Sequence, residues 1–429
     1  MGEIVQNMVR FGRAENRRRV EGLRFDEDGR FLEGPFLGLT IPEAEALEVE
    51  YDARASEKVR GSDGKVKPNS KAAEDAAKEW MFYRLCEGKT LSQLFRMWAF
   101  ANTKDYGVIL LTPTFAQQEI LDQIAKAGWD DVPLYLIDLK ARQLGASTGI
   151  QIIWYLLAAT LDHEKFLTIA DNDENATVLF SIQQTMHELM PFRPVVKFAP
   201  SKGNSKWVKT GSTSFISSAE ERNPGRGRSY KFIHASEHAF WEDPERVEAG
   251  VSSTLPNRRF FVWIKESTAN GVANLFYENW IAAEQGTSEL IPMFHPWWKH
   301  EEYELEDGEF DARKFRRSEL PEPMQRIVDY NGSIRVGQLA WYYRECMTEK
   351  SGDWDVMAQE YPTWPGQAFR TSGNPVFDVD CYERLLRATK GLAPEFQGDI
   401  ILESPSASHL GGQPGFNHRL PVFPRGFGP

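Results

Sequence analysis

Four short apolar runs recur through the middle of the chain, Leu134 to Leu139, Phe166 to Ala170, Lys231 to His234 and Phe260 to Ile264, each bounded by polar or turn residues. Their hydrophobicity is continuous rather than alternating, which suits strands covered on both faces and predicts a mostly parallel sheet. Between the first two runs, Ile150, Ile153, Trp154 and Leu157 repeat at i, i+3, i+4 and i+7, so one amphipathic helix is predicted over Thr148 to Leu161. A second helical stretch is expected from Asn175 to Leu189. Strand alternating with helix predicts an α/β domain with its ligand site at the carboxyl ends of the strands.

Outside this region the pattern changes. Residues 1–71 are highly charged, with Gly-Ser-Asp-Gly at 61–64 followed by Pro68, and read as a charged N-terminal arm with little core of its own. Helical spacing from Ala72 to Trp98, on either side of Gly88, predicts two short helices that open a main domain over residues 72–300. Residues 301–380 turn acidic and aromatic, helical from Val336 and turn-rich around Pro362, Pro365 and Gly366, and read as a small lid or linker subdomain. Residues 381–429, rich in Gly, Pro and Ser towards their end, read as a linker.

The 429 residues, 41% of them hydrophobic, allow one to three domains. No run of eighteen apolar residues occurs and the arginine-rich start lacks an apolar centre, so neither a membrane span nor a secretory signal is expected. Cys86, Cys346 and Cys381 are odd in number and far apart, which argues against a disulfide framework and a cysteine zinc site and suits a reducing cytosol. A formal charge of -12 argues against a static nucleic-acid coat, because sequence-independent DNA affinity comes from Lys and Arg at phosphates. It leaves room for a protein that touches DNA through a few loops.

Candidate chemistry begins where the first strand runs into Lys140-Ala141-Arg142-Gln143-Leu144-Gly145-Ala146-Ser147-Thr148 and then a helix. A phosphate loop reads G-x-x-x-x-G-K-[ST]. Here Gly145 and Ser147 are in place, Lys140 stands at the first glycine and Ala146 at the usual lysine, so the lysine has moved to the other end of the loop. Phosphate binding needs a cation near the β and γ groups and a hydroxyl for Mg²⁺, which Lys140 and Ser147 supply, with Arg142 as a second cation. Taken alone, the segment also reads as an ordinary strand-to-helix turn with a surface Lys and Arg.

Glu237 follows the third apolar run, where a carboxylate can polarise an attacking water. The preceding position, usually a metal-holding aspartate, is Ser236. After the fourth run come Lys265-Glu266-Ser267-Thr268-Ala269-Asn270-Gly271, whose small polar side chains can sense a γ-phosphate through hydrogen bonds, or simply cap a turn. Upstream, the Gln117 amide can read adenine, or can sit unremarkably in a helix first turn.

In this order, Ala-Gln, the Lys140 loop, Ser-Glu-His-Ala-Phe-Trp and Glu-Ser-Thr-Ala-Asn-Gly with Leu-Phe-Tyr closely resemble the large terminase subunits of tailed phages. The likeness extends through Phe294-His295-Pro296-Trp297-Trp298 and Gln359-Glu360-Tyr361-Pro362. The resemblance implies an α/β P-loop NTPase of the additional-strand, catalytic-glutamate type, with residues 72–300 as its ATPase domain. It implies ATP and Mg²⁺ as cofactors, Gln117 and the loop Lys140, Ala141, Arg142, Gln143, Leu144, Gly145, Ala146, Ser147 and Thr148 as the nucleotide site, and Ser147 with Glu237 at the metal. Glu237 matches the catalytic carboxylate, Thr268 and Asn270 the coupling motif, with Ser236 and Arg142 beside them. A neighbouring subunit's Arg226, or Arg228, is a candidate to complete the site. The implied activity is ATP-driven translocation of double-stranded viral DNA into a procapsid. Implied partners are the portal protein, the small terminase subunit and copies of the chain in a ring, expected as a pentamer, with no membrane partner. The implied location is the host cytoplasm, transiently at the portal and not in the mature virion. Family members usually continue into a ribonuclease-H-type nuclease, and none is legible before Pro429, so nuclease activity is not expected of this chain. A helicase-like DNA-dependent ATPase and a non-enzymatic docking protein with a degenerate phosphate loop are the rival readings.

Overall fold

A computed structural model of the chain describes residues 27–28, 30–56, 59–60, 66–67, 71–103, 107–221, 224–225, 228–256 and 259–369. Among the described residues, three helices, α1 (Ile41–Ala55), α2 (Lys71–Cys86) and α3 (Leu91–Trp98), precede a two-stranded ribbon of β1 (Phe100–Thr103) and β2 (Gly107–Leu110). Helix α4 (Phe115–Asp130) then leads into the central sheet, opened by β3 (Leu134–Lys140), α5 (Ala146–Thr160), β4 (Lys165–Ala170) and α6 (Asp173–Leu189). Strands β5 (Val196–Ala199), β6 (Asn204–Trp207), β7 (Thr213–Ser218), β8 (Phe232–Ser236), β9 (Val262–Ser267) and β10 (Ile291–His295) complete it, with α7 (Pro244–Ser252) and α8 (Leu275–Glu284) in the connections.

The sheet order is β10-β3-β9-β8-β4-β7-β6-β5. The six strands from β10 to β7 are parallel, and β6 and β5 pair antiparallel at one edge. Strand β9 lies between β3, which feeds the Lys140 loop, and β8, which ends beside Glu237. The result is a mostly parallel sheet flanked by helices, with one strand inserted between the strand that ends at Lys140 and the strand that leads to Glu237.

Helix α5 is buried over most of its surface, as its apolar sequence requires. Trp154 packs on Phe166 and Phe232, themselves stacked at 4.5 Å, which locks α5 over β4 and β8. Strands β8 and β9 run further than the apolar stretches that announced them, through Ser236 and Ser267, because backbone pairing continues onto buried polar residues. Helix α6 begins two residues early, where Asn172 accepts a hydrogen bond from the Asn175 amide. The stretch read as a charged arm is partly folded: α1 and the turn before it bury Phe31, Phe36, Ala44 and Tyr51 in the main core. Those apolar positions are few and widely spaced, so the helix carries almost no periodic signal.

Beyond the sheet, α9 (Glu322–Tyr330), α10 (Val336–Glu349) and α11 (Trp354–Glu360) surround an aromatic core in which Tyr303 stacks on Trp341 at 4.2 Å. Ala141 and Leu144 belong to the same core. The segment anticipated as a lid therefore packs directly on the Lys140 loop. Residues 370–429, including Cys381 and the linker reading, lie outside the described residues.

Candidate active site

Lys140 is the last residue of β3, and the five residues after it reach α5. Gln143 (φ 58°) and Gly145 (φ 73°) adopt left-handed conformations that turn the chain into the helix. Neighbouring elements hold the loop from both sides. The Ala141 amide donates to the His295 carbonyl at 2.8 Å, the Arg142 amide to the Glu360 carbonyl at 2.9 Å, and the Tyr303 hydroxyl to the Arg142 carbonyl at 2.7 Å. Helix α5 starts at Ala146, so Ser147 and Thr148 lie in its first turn, where free amides and the helix dipole favour an anion.

The Lys140 side chain is folded inward. Its Nζ lies 2.8 Å from Glu237 Oε1 and 3.1 Å from Glu266 Oε2, and only 7% of the side chain is exposed. Burial alone would push the ammonium down, but Glu237 and Glu266 outweigh it and hold Lys140 charged, above the ordinary amine range. Glu237 follows β8 directly in a left-handed conformation (φ 50°), which costs a non-glycine residue roughly 1–2 kcal/mol. Its Oε2 accepts from Ser267 Oγ at 3.4 Å and from the Thr268 amide at 3.3 Å. Asn270 donates to the Ala239 carbonyl at 3.1 Å, and the Ala239 amide to Ser267 Oγ at 3.2 Å. The motif expected to couple hydrolysis to movement thus touches Glu237 and the turn behind it. Gln359 of α11 donates to the Ala269 carbonyl at 3.1 Å and ties the motif to the helical subdomain.

Glu266 went unassigned in the sequence reading and stands at the centre. It is completely buried, and its Oε1 accepts from Ser147 Oγ at 2.5 Å and Ser236 Oγ at 2.9 Å. His234 Nε2 lies 3.2 Å from the same oxygen. Gln151 Nε2 donates to Thr168 Oγ1 and to His234 Nδ1, both at 3.0 Å, so the hydrogen of His234 is left on Nε2 and points at Glu266. Burial pushes the Glu266 carboxyl up, but Lys140 first and then His234 and Ser147 outweigh it, leaving it well below the carboxylate range. The signal available in the sequence was an acid just beyond the apolar run Phe260 to Ile264, separated from it only by Lys265.

The remaining candidates are spread around this cluster. Arg142 pairs with Glu360 at 2.5 Å with half its side chain exposed. Gln117 is buried, and its amide is engaged by backbone: Oε1 accepts from the Thr114 amide at 3.0 Å and Nε2 donates to the Gly145 carbonyl at 2.8 Å. A cavity of about 340 Å³ opens beside it, lined among others by Thr114, Gln117, Gln143, Gly145 and Thr148. Lys140 and Glu237 do not line this cavity. Arg228 lies over the Phe215 ring at 5.0 Å, and Arg226 falls outside the described residues. No helix among the described residues is long and apolar enough to cross a membrane.

No family model and no curated protein matches the sequence. Among solved structures, the chain is similar to the HK97 bacteriophage large terminase, at 13% identity over 65% of this chain and 55% of that one, with a TM-score of 0.46. It is also similar to a Thermus phage large terminase ATPase domain, at 16% identity over 58% of this chain and 93% of that one, with a TM-score of 0.37. A large terminase from a thermophilic bacteriophage, solved in complex with ATP-gamma-S, matches at 11% identity over 49% of this chain and 51% of that one, with a TM-score of 0.36. The aligned part spans about half the length of the first and third of these proteins. In fold, the chain is similar to the large terminases of bacteriophages.

Proposed function

We propose that this chain is an ATP-hydrolysing motor that drives double-stranded viral DNA into a procapsid. The observation that carries the reading is the meeting of Lys140 with Glu237 at 2.8 Å, beside the first turn of α5 and at the carboxyl ends of parallel strands. A cation for phosphate, a base for water and amides for an anion converge there, which is what phosphoryl transfer to water requires.

In this reading the base and ribose of ATP take the cavity beside Gln117, and the phosphates lie along the loop to Ser147 and Thr148. Lys140 leaves one of its carboxylates to neutralise phosphate, and Glu237 orients and deprotonates the attacking water. Mg²⁺, when bound with the nucleotide, would offset the negative charge developing on the phosphates. Ser147, with its hydroxyl in the α5 first turn, would help to hold it. Release of the γ-phosphate alters the pull on Glu237, which Ser267, Thr268 and Asn270 pass to the turn at Ala239 and, through Gln359, to α11. Copies of the chain act as a ring, a pentamer, on the portal protein, with the small terminase subunit as partner and Arg226 or Arg228 reaching a neighbour's site. The working location is the host cytoplasm, docked transiently at the portal and absent from the mature virion.

Steady-state ATPase assays with and without double-stranded DNA test this. Turnover stimulated by duplex, without strand separation in a parallel unwinding assay, is the expected result. Strand separation would favour a helicase, and an absence of turnover in either condition would leave only a docking protein.

A further inference from the structure

Ser236 occupies the position where a P-loop ATPase ordinarily carries a metal-holding aspartate, and a serine brings no charge. Its register partner on the neighbouring strand β9 is Glu266. The two are hydrogen-bonded, and Glu266 Oε1 also accepts from Ser147, the hydroxyl of the phosphate loop. The second oxygen, Oε2, has Lys140 Nζ at 3.1 Å. One ammonium faces two carboxylates, the buried Glu266 and the half-buried Glu237, so acids outnumber the ammonium that pairs with them, an arrangement that favours a cation. Among the described residues no cluster of three or more His, Cys, Asp or Glu could hold a metal. A metal here would therefore need the nucleotide's own oxygens, the usual habit of Mg²⁺, which binds through one or two carboxylates and substrate phosphates.

Resting on the ATPase reading above, we infer that Glu266 supplies from the neighbouring strand the carboxylate missing at Ser236, and with the Ser147 and Ser236 hydroxyls positions the Mg²⁺ of the bound nucleotide. Parallel pairing makes the exchange possible, because residues in register on adjacent strands lie about 5 Å apart and a glutamate is one methylene longer than an aspartate. His234, held by Gln151, fixes the carboxylate from behind, as outer partners of metal ligands commonly do. Glu266 is then a positioning residue, and Glu237 remains the base.

The test uses the whole chain, with Mn²⁺ binding followed by electron paramagnetic resonance in the presence of ADP. Calorimetry of ATP-gamma-S with Mg²⁺ and with EDTA accompanies it. Glu266→Gln is expected to lower metal affinity of the nucleotide complex roughly 10- to 100-fold while metal-free nucleotide binds no more weakly. Ser236→Asp added to Glu266→Gln is expected to restore most of the loss, which a purely structural role for Glu266 would not do. Should Glu266→Gln fail to fold, Glu266→Asp, which keeps the charge but shortens the reach, is expected to weaken metal binding. Undiminished metal affinity in the folded Gln variant, or in the Asp variant where that is the one tested, overturns the inference and leaves the ATPase reading standing. Failure of the unaltered chain to bind nucleotide at all overturns both.

Discussion

Lys140 and Glu237, 97 residues apart in the chain, meet at 2.8 Å because β3 and β8 end at the same edge of the sheet with only β9 between them. Each side chain is set by the other, and the pair governs what happens when either is removed. Glu237→Gln keeps the size and a hydrogen-bond acceptor for Ser267 and Thr268 but removes the carboxylate proposed as the base. Turnover is expected to fall roughly 10²- to 10⁴-fold with nucleotide binding retained. Unchanged turnover in a steady-state assay would remove Glu237 from catalysis.

Lys140→Met removes the one ammonium between two buried or half-buried carboxylates. Leaving a buried charge unpaired costs about 3–5 kcal/mol, partly relieved if Glu266 takes up a proton. Urea denaturation near neutral pH is expected to show a loss of that order, and calorimetry a weaker nucleotide complex. Stability and affinity both within error of the parent would mean the cluster is incidental.

His295, next to Lys140 across the β3–β10 pairing, is completely buried between Asp138 at 2.6 Å and Glu119 at 2.9 Å. Burial alone would push its imidazole down, yet the two carboxylates raise it to about 9. A raised histidine stabilises the fold fully below its unfolded value near 6.5, and the contribution disappears as pH climbs through about 9. Unfolding free energy, compared between the parent and His295→Asn, is expected to fall between pH 7 and 10 in the parent and to stay flatter in the variant. Parallel pH profiles would contradict the assignment.

Gly149, in the second turn of α5, lies where an added methyl carbon would meet Gln117 Cγ at 2.6 Å and Cδ at 3.1 Å. Gly149→Ala is expected to cost about 1–3 kcal/mol by forcing Gln117 away from the Gly145 carbonyl. The loss should be smaller when Gln117→Ala is already present, so a thermal-denaturation cycle of the two substitutions is expected to be non-additive. Strict additivity would show that the glutamine does not set the packing there.

What the sequence by itself determined is what short-range physics writes locally. The apolar runs marked β3, β4, β8 and β9, the 3.6-residue spacing of Ile150, Ile153, Trp154 and Leu157 marked α5, and position immediately after a strand marked Lys140, Glu237 and Thr268 as candidates. Strand β7 escaped notice because Thr-Ser-Phe-Ile-Ser-Ser satisfies its backbone in the sheet while burying hydroxyls, leaving no apolar run to read. Only the tertiary structure decided that β9 inserts between β3 and β8, which puts Glu266 in register with Ser236 and within reach of Ser147, 119 residues away. It likewise decided that Glu360 and Tyr303 clamp the Lys140 loop and that Arg142 faces Glu360. Strand order follows from how the connections cross the sheet and bury their faces together, a long-range balance that no local stretch encodes, so a charge missing at one position can be supplied by a residue that only the fold makes its neighbour.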